Sequence, residues 1–338
     1  MKRLLVAASV ALSLIVTGCA ASATDDGLDP DKLTIYSSQH ENVTEAWVEG
    51  FTEQTGIEVQ IRFGKDASMG NQIVEEGDSS PADVFLTENS PAMTTVQNAG
   101  LLAEVDADTL ALVPAERAPS NKQWIGIAAR STVLIYNPSM ISESELPASL
   151  MDLADPQWKG KWGAGATGAD FQAIVAGMLE LKGEQATAEW LGGLKDNATV
   201  YQNNIVTMKA VNAGEVPLGV IYHYYWYRDQ SGTQEGSGNT ELHYFKNQDP
   251  GAFVSLSAGG VLKSAKHADD AQQFLAYILS AEGQAVLSES GSMEYAVATD
   301  VASDPALPPL ETLDAPAIDP FSLDAAKVAQ LMTDAGVL

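Results

Sequence analysis

Six consecutive residues, Tyr222-His223-Tyr224-Tyr225-Trp226-Tyr227, hold four of the chain's ten tyrosines beside one of its four histidines. Two readings are open. At the end of a buried strand, tyrosines bury their rings and keep their hydroxyls at a wet edge. Facing a cation, the same hydroxyls can ionise and become hard anionic oxygen ligands. A phenol has an ordinary pKa near 10, so phenolate ligation at neutral pH needs a cation strong enough to displace the proton. A trivalent ion does this far better than calcium or magnesium, whereas zinc or copper draws thiolates or several imidazoles. His40 and Glu88 complete an oxygen-rich candidate set. One carboxylate and two phenolates carry three negative charges, which match a ferric ion, with a neutral imidazole adding none. A site closed in this way avoids burying an uncompensated ion.

The elements that must position these residues read as α/β. From Lys32, KLTIYS, ENVTEAWVEGFTEQTG, IEVQIRF, a polar helix running to Gly77, and ADVFL form a βαβαβ pattern. Val43, Ala46, Trp47 and Phe51 recur at helical spacing and belong to the core, with Gly56 as the helix stop. Parallel strands place ligands at their carboxyl ends, where loops meet helix starts. Those ends fall at Ser37-Ser38-Gln39-His40, at Thr87-Glu88-Asn89 and at Tyr222-His223-Tyr224-Tyr225. Farther on, WIGIAA, TVLIYN and VPLGVIY read as strands, residues 171–181 and 186–194 as helices, and residues 269–287 as one amphipathic helix. The proline-rich residues 304–320 read as extended or surface chain.

Lys2 and Arg3 precede an apolar run over residues 4–16, the order of a secretory signal over residues 1–18, too short for a comfortable membrane span. Val16-Thr17-Gly18-Cys19 resembles a bacterial lipobox, which implies lipidation of Cys19 ahead of a polar tether over residues 19–31. Ala21-Ser22-Ala23 also fits an ordinary cleavage site that would discard the cysteine. With Cys19 the only cysteine, the mature fold has no disulfide and depends on core burial. The remaining chain of roughly 300 residues is more than one core usually serves, so two lobes are expected. The formal charge is −27, and −29 without the leader, which makes nucleic acid and anionic lipid poor partners. G-x-S-x-G, H-E-x-x-H, C-x-x-C and P-loop motifs are all lacking, which argues against a secreted hydrolase.

The runs YSSQHEN (36–42), SPADVFLTEN (80–89), YQNNIVTMKAVNAGE (201–215), HYYWYR (223–228) and DPGAFVSLSAGGVLKS (249–264) resemble, in order, those of bacterial ferric-iron-binding proteins. The resemblance implies a two-lobed type II periplasmic-binding-protein fold with a hinge and a central cleft. It implies lobe one over residues 32–131 and 257–306, and lobe two over 132–256 and 307–338. It gives His40, Glu88, Tyr224 and Tyr225 the four metal-ligand positions. It implies a synergistic anion, carbonate, phosphate or similar, resting on Thr167-Gly168-Ala169 at a helix start and on Asn204, with water as the alternative. Asp170 in the first helical turn departs from that pattern, as does His223, where phosphate-using relatives carry asparagine. His223 is a candidate fifth ligand, and Arg130, which with Tyr136 resembles lobe-boundary residues, a candidate hold on the anion. The implied role is that of a monomeric, non-enzymatic protein, lipid-anchored or periplasmic, that delivers Fe3+ to an ABC importer's permease and ATPase. The runner-up ligand is a small organic molecule such as a polyamine, a thiamine-like cation or a sugar, stacked on the aromatic cluster. A cell-surface ligand sensor would use the same pocket.

Overall fold

The structure, a computed structural model, describes residues 27–338. The signal peptide read over residues 1–18 and the lipidation candidate Cys19 lie outside the described residues. The first strands and helices are β1 (Leu33–Ser37), α1 (Glu41–Thr55), β2 (Val59–Phe63), α2 (Asp66–Glu76), β3 (Val84–Thr87) and α3 (Ser90–Asn98). β1 pairs in parallel with both β2 and β3, the expected βαβαβ unit. Val43, Trp47 and Phe51 are fully buried, and Gly56 ends α1 in the left-handed conformation that only glycine adopts cheaply.

After the short α4 (Ala107–Leu110), the sequence reading needs its first correction. WIGIAA and TVLIYN are not two strands but one, β4 (Ile125–Tyr136), buried along its whole length. The polar Arg130-Ser131-Thr132 centre looked like a break, yet its backbone stays paired. Ser131 N donates to His223 Nδ1 at 3.1 Å, and Thr132 N to the Phe253 carbonyl at 3.0 Å. β5 (Trp162–Ala164), α5 (Ala169–Asn197), β6 (Ala198–Val200), α6 (Asn204–Asn212) and β7 (Leu218–Tyr222) follow. α5 is two helical stretches meeting at Gly183, whose φ of 80° and ψ of 171° interrupt the helix. The second correction is at the aromatic run. β7 ends at Tyr222, and α7 (His223–Ser231) begins at the next residue, so the adjacent tyrosines stand on a helix's first turn instead of a strand end.

β8 (Glu241–His243) and β9 (Val254–Val261) complete a nine-stranded sheet, ordered β2-β1-β3-β9-β4-β7-β5-β6 with β8 also on β4. Residues 125–131 of β4 pair antiparallel with β9, while residues 132–136 pair with β7 on one side and residues 134–136 with β8 on the other. The same strand therefore serves two lobes. One core gathers Leu33, Trp47, Leu86, Ile127 and Phe274; the other gathers Trp162, Phe171, Trp190, Val220 and Met332. The expected helix over residues 269–287 is two, α8 (Ala268–Ile278) and α9 (Ala281–Glu289). Ser280 divides them because its hydroxyl caps α9, accepting from Gly283 N at 3.0 Å. Leu307 and Leu313 still pack on the first core, and α10 (Ala325–Asp334) packs on the second through Val328, Leu331 and Met332. No helix among the described residues is long and apolar enough to cross a membrane.

Candidate functional site

Five helix starts meet in the cleft. His40 is the residue before α1, Asn89 the one before α3, and Asp170 lies in the first turn of α5. Asn204 opens α6, and His223, Tyr224 and Tyr225 open α7. Unpaired N–H groups and the helix dipole give each of these ends a partial positive charge, an environment that favours anionic oxygen.

The side chains touch across the lobes. Tyr224 donates its hydroxyl to Glu88 Oε1 at 3.1 Å, and Tyr225 donates to Asp170 Oδ2 at 3.0 Å. The Tyr224 hydroxyl is 3.5 Å from that same Asp170 oxygen. His40 Nε2 stands 3.4 Å from Glu88 Oε1, and its ring lies edge-on to Tyr224 with centroids 5.3 Å apart. The two phenol rings lie 4.1 Å apart. The four residues expected as metal ligands are thus brought together, two from each lobe. Among the described residues no group of three or more His, Cys, Asp and Glu side chains is by itself placed to hold a metal ion, so a metal in this cleft would need the phenols as well.

Of the expected anion cradle, Gly168 caps α5 and Ala169 is its first residue, while Thr167 is exposed. Asn204 does come into the site, but its amide donates to Asp170 Oδ2 at 2.6 Å. Asn89 donates to Asp170 Oδ1 at 2.9 Å from the other lobe. Asp170, read from sequence as an obstacle, is the carboxylate on which donors from both lobes meet. His223 points away from the cleft. It stacks on Tyr295 at 4.5 Å and accepts from Ser131 N, and burial holds it neutral, down to about 3. It is therefore not assembled with the other candidates. Arg130 is fully buried, with its guanidinium 5.6 Å from the Tyr224 ring centre and Nη2 donating to Glu294 Oε1 at 3.1 Å.

Three further residues escaped the sequence reading. Asp66 accepts the backbone N–H of Glu88 and of Asn89, each at 2.9 Å, and the Ser38 hydroxyl, tying the ends of β1 and β3 together. Asn89 clasps Asp170. Glu294 lies 2.9 Å from His40 Nδ1. Asn89 carried a signal, a polar residue at a helix start beside the candidate ligand Glu88, and Asp66 a weaker one, a polar residue at a helix start; Glu294, alone in an apolar run, carried none.

Burial first, and then the charges of Asp170 and Glu88, hold the Tyr224 and Tyr225 phenols well above their ordinary pKa. Burial and then Glu88 raise Asp66 to about 7 and Asp170 to about 6. Burial disfavours a charge on His40, but Glu294 and Glu88 outweigh it and push the imidazole up to about 9. Without a cation the cleft therefore holds its protons, which an entering cation must displace.

Two α/β lobes that share strand β4, with a polar cleft at helix starts between them, define a two-lobed ligand-binding protein. The chain belongs to the bacterial extracellular solute-binding protein family, whose model matches residues 79–321. It is 54% identical over 325 residues to the Fe(3+)-binding periplasmic protein of Serratia marcescens, covering 96% of this chain and 95% of that one. Iron-bound HitA from Pseudomonas aeruginosa superposes with a TM-score of 0.83 at 46% identity, covering 90% of this chain and 99% of the other. The Trichodesmium protein in complex with iron and citrate has a TM-score of 0.78 at 30% identity, with 90% and 99% covered. Structures of this kind carry the two-lobed type II fold expected from the sequence.

Proposed function

We propose that this chain captures ferric iron outside the cytoplasm and delivers it to an ATP-driven importer, with His40, Glu88, Tyr224 and Tyr225 as metal ligands. The observation that carries the reading is the meeting of two adjacent phenols from α7 with Glu88 and His40 of the other lobe. Of the lobe division over residues 32–131 with 257–306, and 132–256 with 307–338, the change of β4's partners between residues 131 and 132 supports the first boundary. The pairing of residues 254–256 with β4 and the packing of Leu307 and Leu313 on the first core favour a lobe one that takes in these segments as well. Closure between such lobes excludes water and engages ligands from both sides. A monomer tethered through lipidated Cys19, or free in the periplasm, then docks on the permease and ATPase. The role is binding, not catalysis.

Asp170 is the fifth proposed ligand. Its carboxylate lies within 3.0 Å of the Tyr225 hydroxyl and stands at the helix start where a separate anion would rest. With it the ligands carry four negative charges, so a full synergistic anion such as carbonate or phosphate becomes auxiliary to a charge the chain itself supplies. Citrate in the Trichodesmium complex is a precedent for such an auxiliary anion in that protein.

The test is a ferric titration of the mature protein followed by visible absorbance, beside a Tyr224→Phe, Tyr225→Phe double variant. A saturable one-to-one phenolate-to-iron charge-transfer band in the wild type alone is the expected result. No band and no retained iron, with suitable anions present, would overturn the ferric reading and turn the search to organic cations.

A further inference from the structure

Glu294 belongs to no ligand set, yet it is buried at the point where the chain passes between lobes. An isolated antiparallel bridge fixes it there: Ala129 N donates to the Tyr295 carbonyl at 3.0 Å and Tyr295 N to the Ala129 carbonyl at 2.9 Å. Met293, with a φ of 58°, takes left-handed backbone immediately before it, a conformation that costs energy in a non-glycine residue and persists only where its surroundings hold it. The carboxylate so placed has three neighbours. Arg130 Nη2 donates to Oε1 at 3.1 Å, and Gln39 Nε2 donates to Oε2 at 3.2 Å. His40 Nδ1 lies 2.9 Å from Oε1, in a contact bent off the ring's N–H axis. Gln39 closes the loop, since its Oε1 accepts from Arg130 Nη2 at 2.9 Å and from His40 N at 2.8 Å.

This arrangement has a chemical consequence for His40. Nδ1 makes no well-directed hydrogen bond as it stands, but an ionised carboxylate 2.9 Å away accepts hydrogen bonds and donates none, so it favours a proton on the imidazole nitrogen that faces it. The other nitrogen, Nε2, faces Glu88 and the Tyr224 ring. Nε2, which faces the cleft and gives up its own proton when a metal enters, is then the metal-binding atom, and the carboxylate behind the ring raises its basicity and limits its rotation. The same carboxylate neutralises Arg130, whose positive charge lies beside Tyr224 and would otherwise oppose a cation in the cleft.

We propose that Glu294 is a positioning residue that holds His40 with Nδ1 protonated and presents Nε2 to the ferric ion. This rests on the ferric reading above. Glu294→Gln preserves the side chain's size and its acceptor for Arg130 but removes the charge. It is expected to weaken ferric binding roughly 10- to 100-fold, the usual consequence of losing such a partner.

The discriminating measurement is a double-variant cycle with His40→Ala, read by chelator competition. If Glu294 acts through His40, Glu294→Gln costs little more in the His40→Ala background; if it only supports the fold, the two losses multiply and the proposal falls. A second measurement needs no variant at Glu294. In the wild type loaded with diamagnetic Ga3+ and labelled with 15N-histidine, His40 is expected to show a protonated Nδ1 and a metal-shifted Nε2. Ligation through Nδ1, or no ligation by His40, would overturn the proposal. A wild type that forms no coloured ferric complex at all would instead overturn the ferric reading itself.

Discussion

At the residue scale, two aspartates decide what the cleft can do, in different ways. Asp170 collects Asn204 and Tyr225 from its own lobe and Asn89 from the other, so its carboxylate is oriented before any cation arrives. Asp170→Asn keeps the shape but removes the charge and turns an amide toward existing donors. The expected outcome is at least a tenfold loss of ferric affinity, about 1.4 kcal/mol, together with a new dependence on added carbonate or phosphate. Chelator competition with and without the anion measures both, and equal anion dependence in wild type and variant would remove Asp170 from the ligand set. Asp66 works one step back, through the backbone of Glu88 and Asn89. Asp66→Asn leaves at least one of those buried N–H groups without its charged acceptor, a cost of about 1–3 kcal/mol. Urea unfolding of the metal-free protein should report that loss, and an unchanged midpoint would show that the contact contributes nothing.

The element scale explains why five helix starts can approach one another at all. Gly165, in the turn between β5 and α5, lies against the start of α6: a Cβ there would stand 2.7 Å from the Asn203 carbonyl carbon and 3.0 Å from Asn204 N. Backbone atoms of that kind do not yield cheaply. Gly165→Ala is expected to push the α6 start, and Asn204 with it, away from Asp170, costing about 1–3 kcal/mol of stability and weakening iron binding in parallel. Gly192→Ala is the control, since nothing lies within 4 Å of its added methyl inside helical α5; thermal unfolding should rise slightly, by about 0.4–1 kcal/mol. The βαβαβ start, the α1 core face and the place of three ligand-bearing loops were legible because apolar spacing and glycine stops report them directly. The fusion of two apparent strands into β4 was not, because Arg130 and Ser131 look like loop residues until their partners from distant segments are known. Nor was the start of α7 at His223, where an aromatic run carries no helical or strand period. Glu294 was illegible for the same physical reason: a residue more than 250 positions from His40 meets it only through the bridge to Ala129.

For the whole molecule, the groups proposed to hold iron, and those packed against them, also set how stability responds to pH. His40, raised to about 9 from 6.5, contributes stability that is complete below its unfolded value and is lost as pH rises through 9. Asp66 and Asp170, raised to about 7 and about 6 from 3.8, likewise keep protons in the folded state that the unfolded chain has released, so their contributions fade as pH rises through those values. Glu294, depressed to about 2 from 4.5, acts in the opposite sense, but its contribution is lost only as pH falls below the range of interest. His223, held neutral down to about 3 from 6.5, offsets one of these protons below about pH 6.5. It is therefore between about pH 6.5 and pH 9 that the metal-free folded protein binds more protons than the unfolded chain and its Tm should fall as pH rises. Iron is expected to reverse the trend, because ligation by the proposed ligands Tyr224, Tyr225, His40 and Asp170 would expel protons and be favoured at higher pH. The gap between loaded and metal-free Tm should therefore widen from about pH 5.5 to about pH 8.5. The net charge of −27 offers a rival cause, since acid also relieves self-repulsion in so acidic a chain. Salt separates the two: screening at about 1 M salt, where the Debye length is about 3 Å, suppresses repulsion between exposed charges and leaves the buried cleft groups nearly untouched. A Tm slope in the metal-free protein that survives high salt assigns the effect to the cleft, and a slope that vanishes assigns it to the surface and removes the cleft protons from the account.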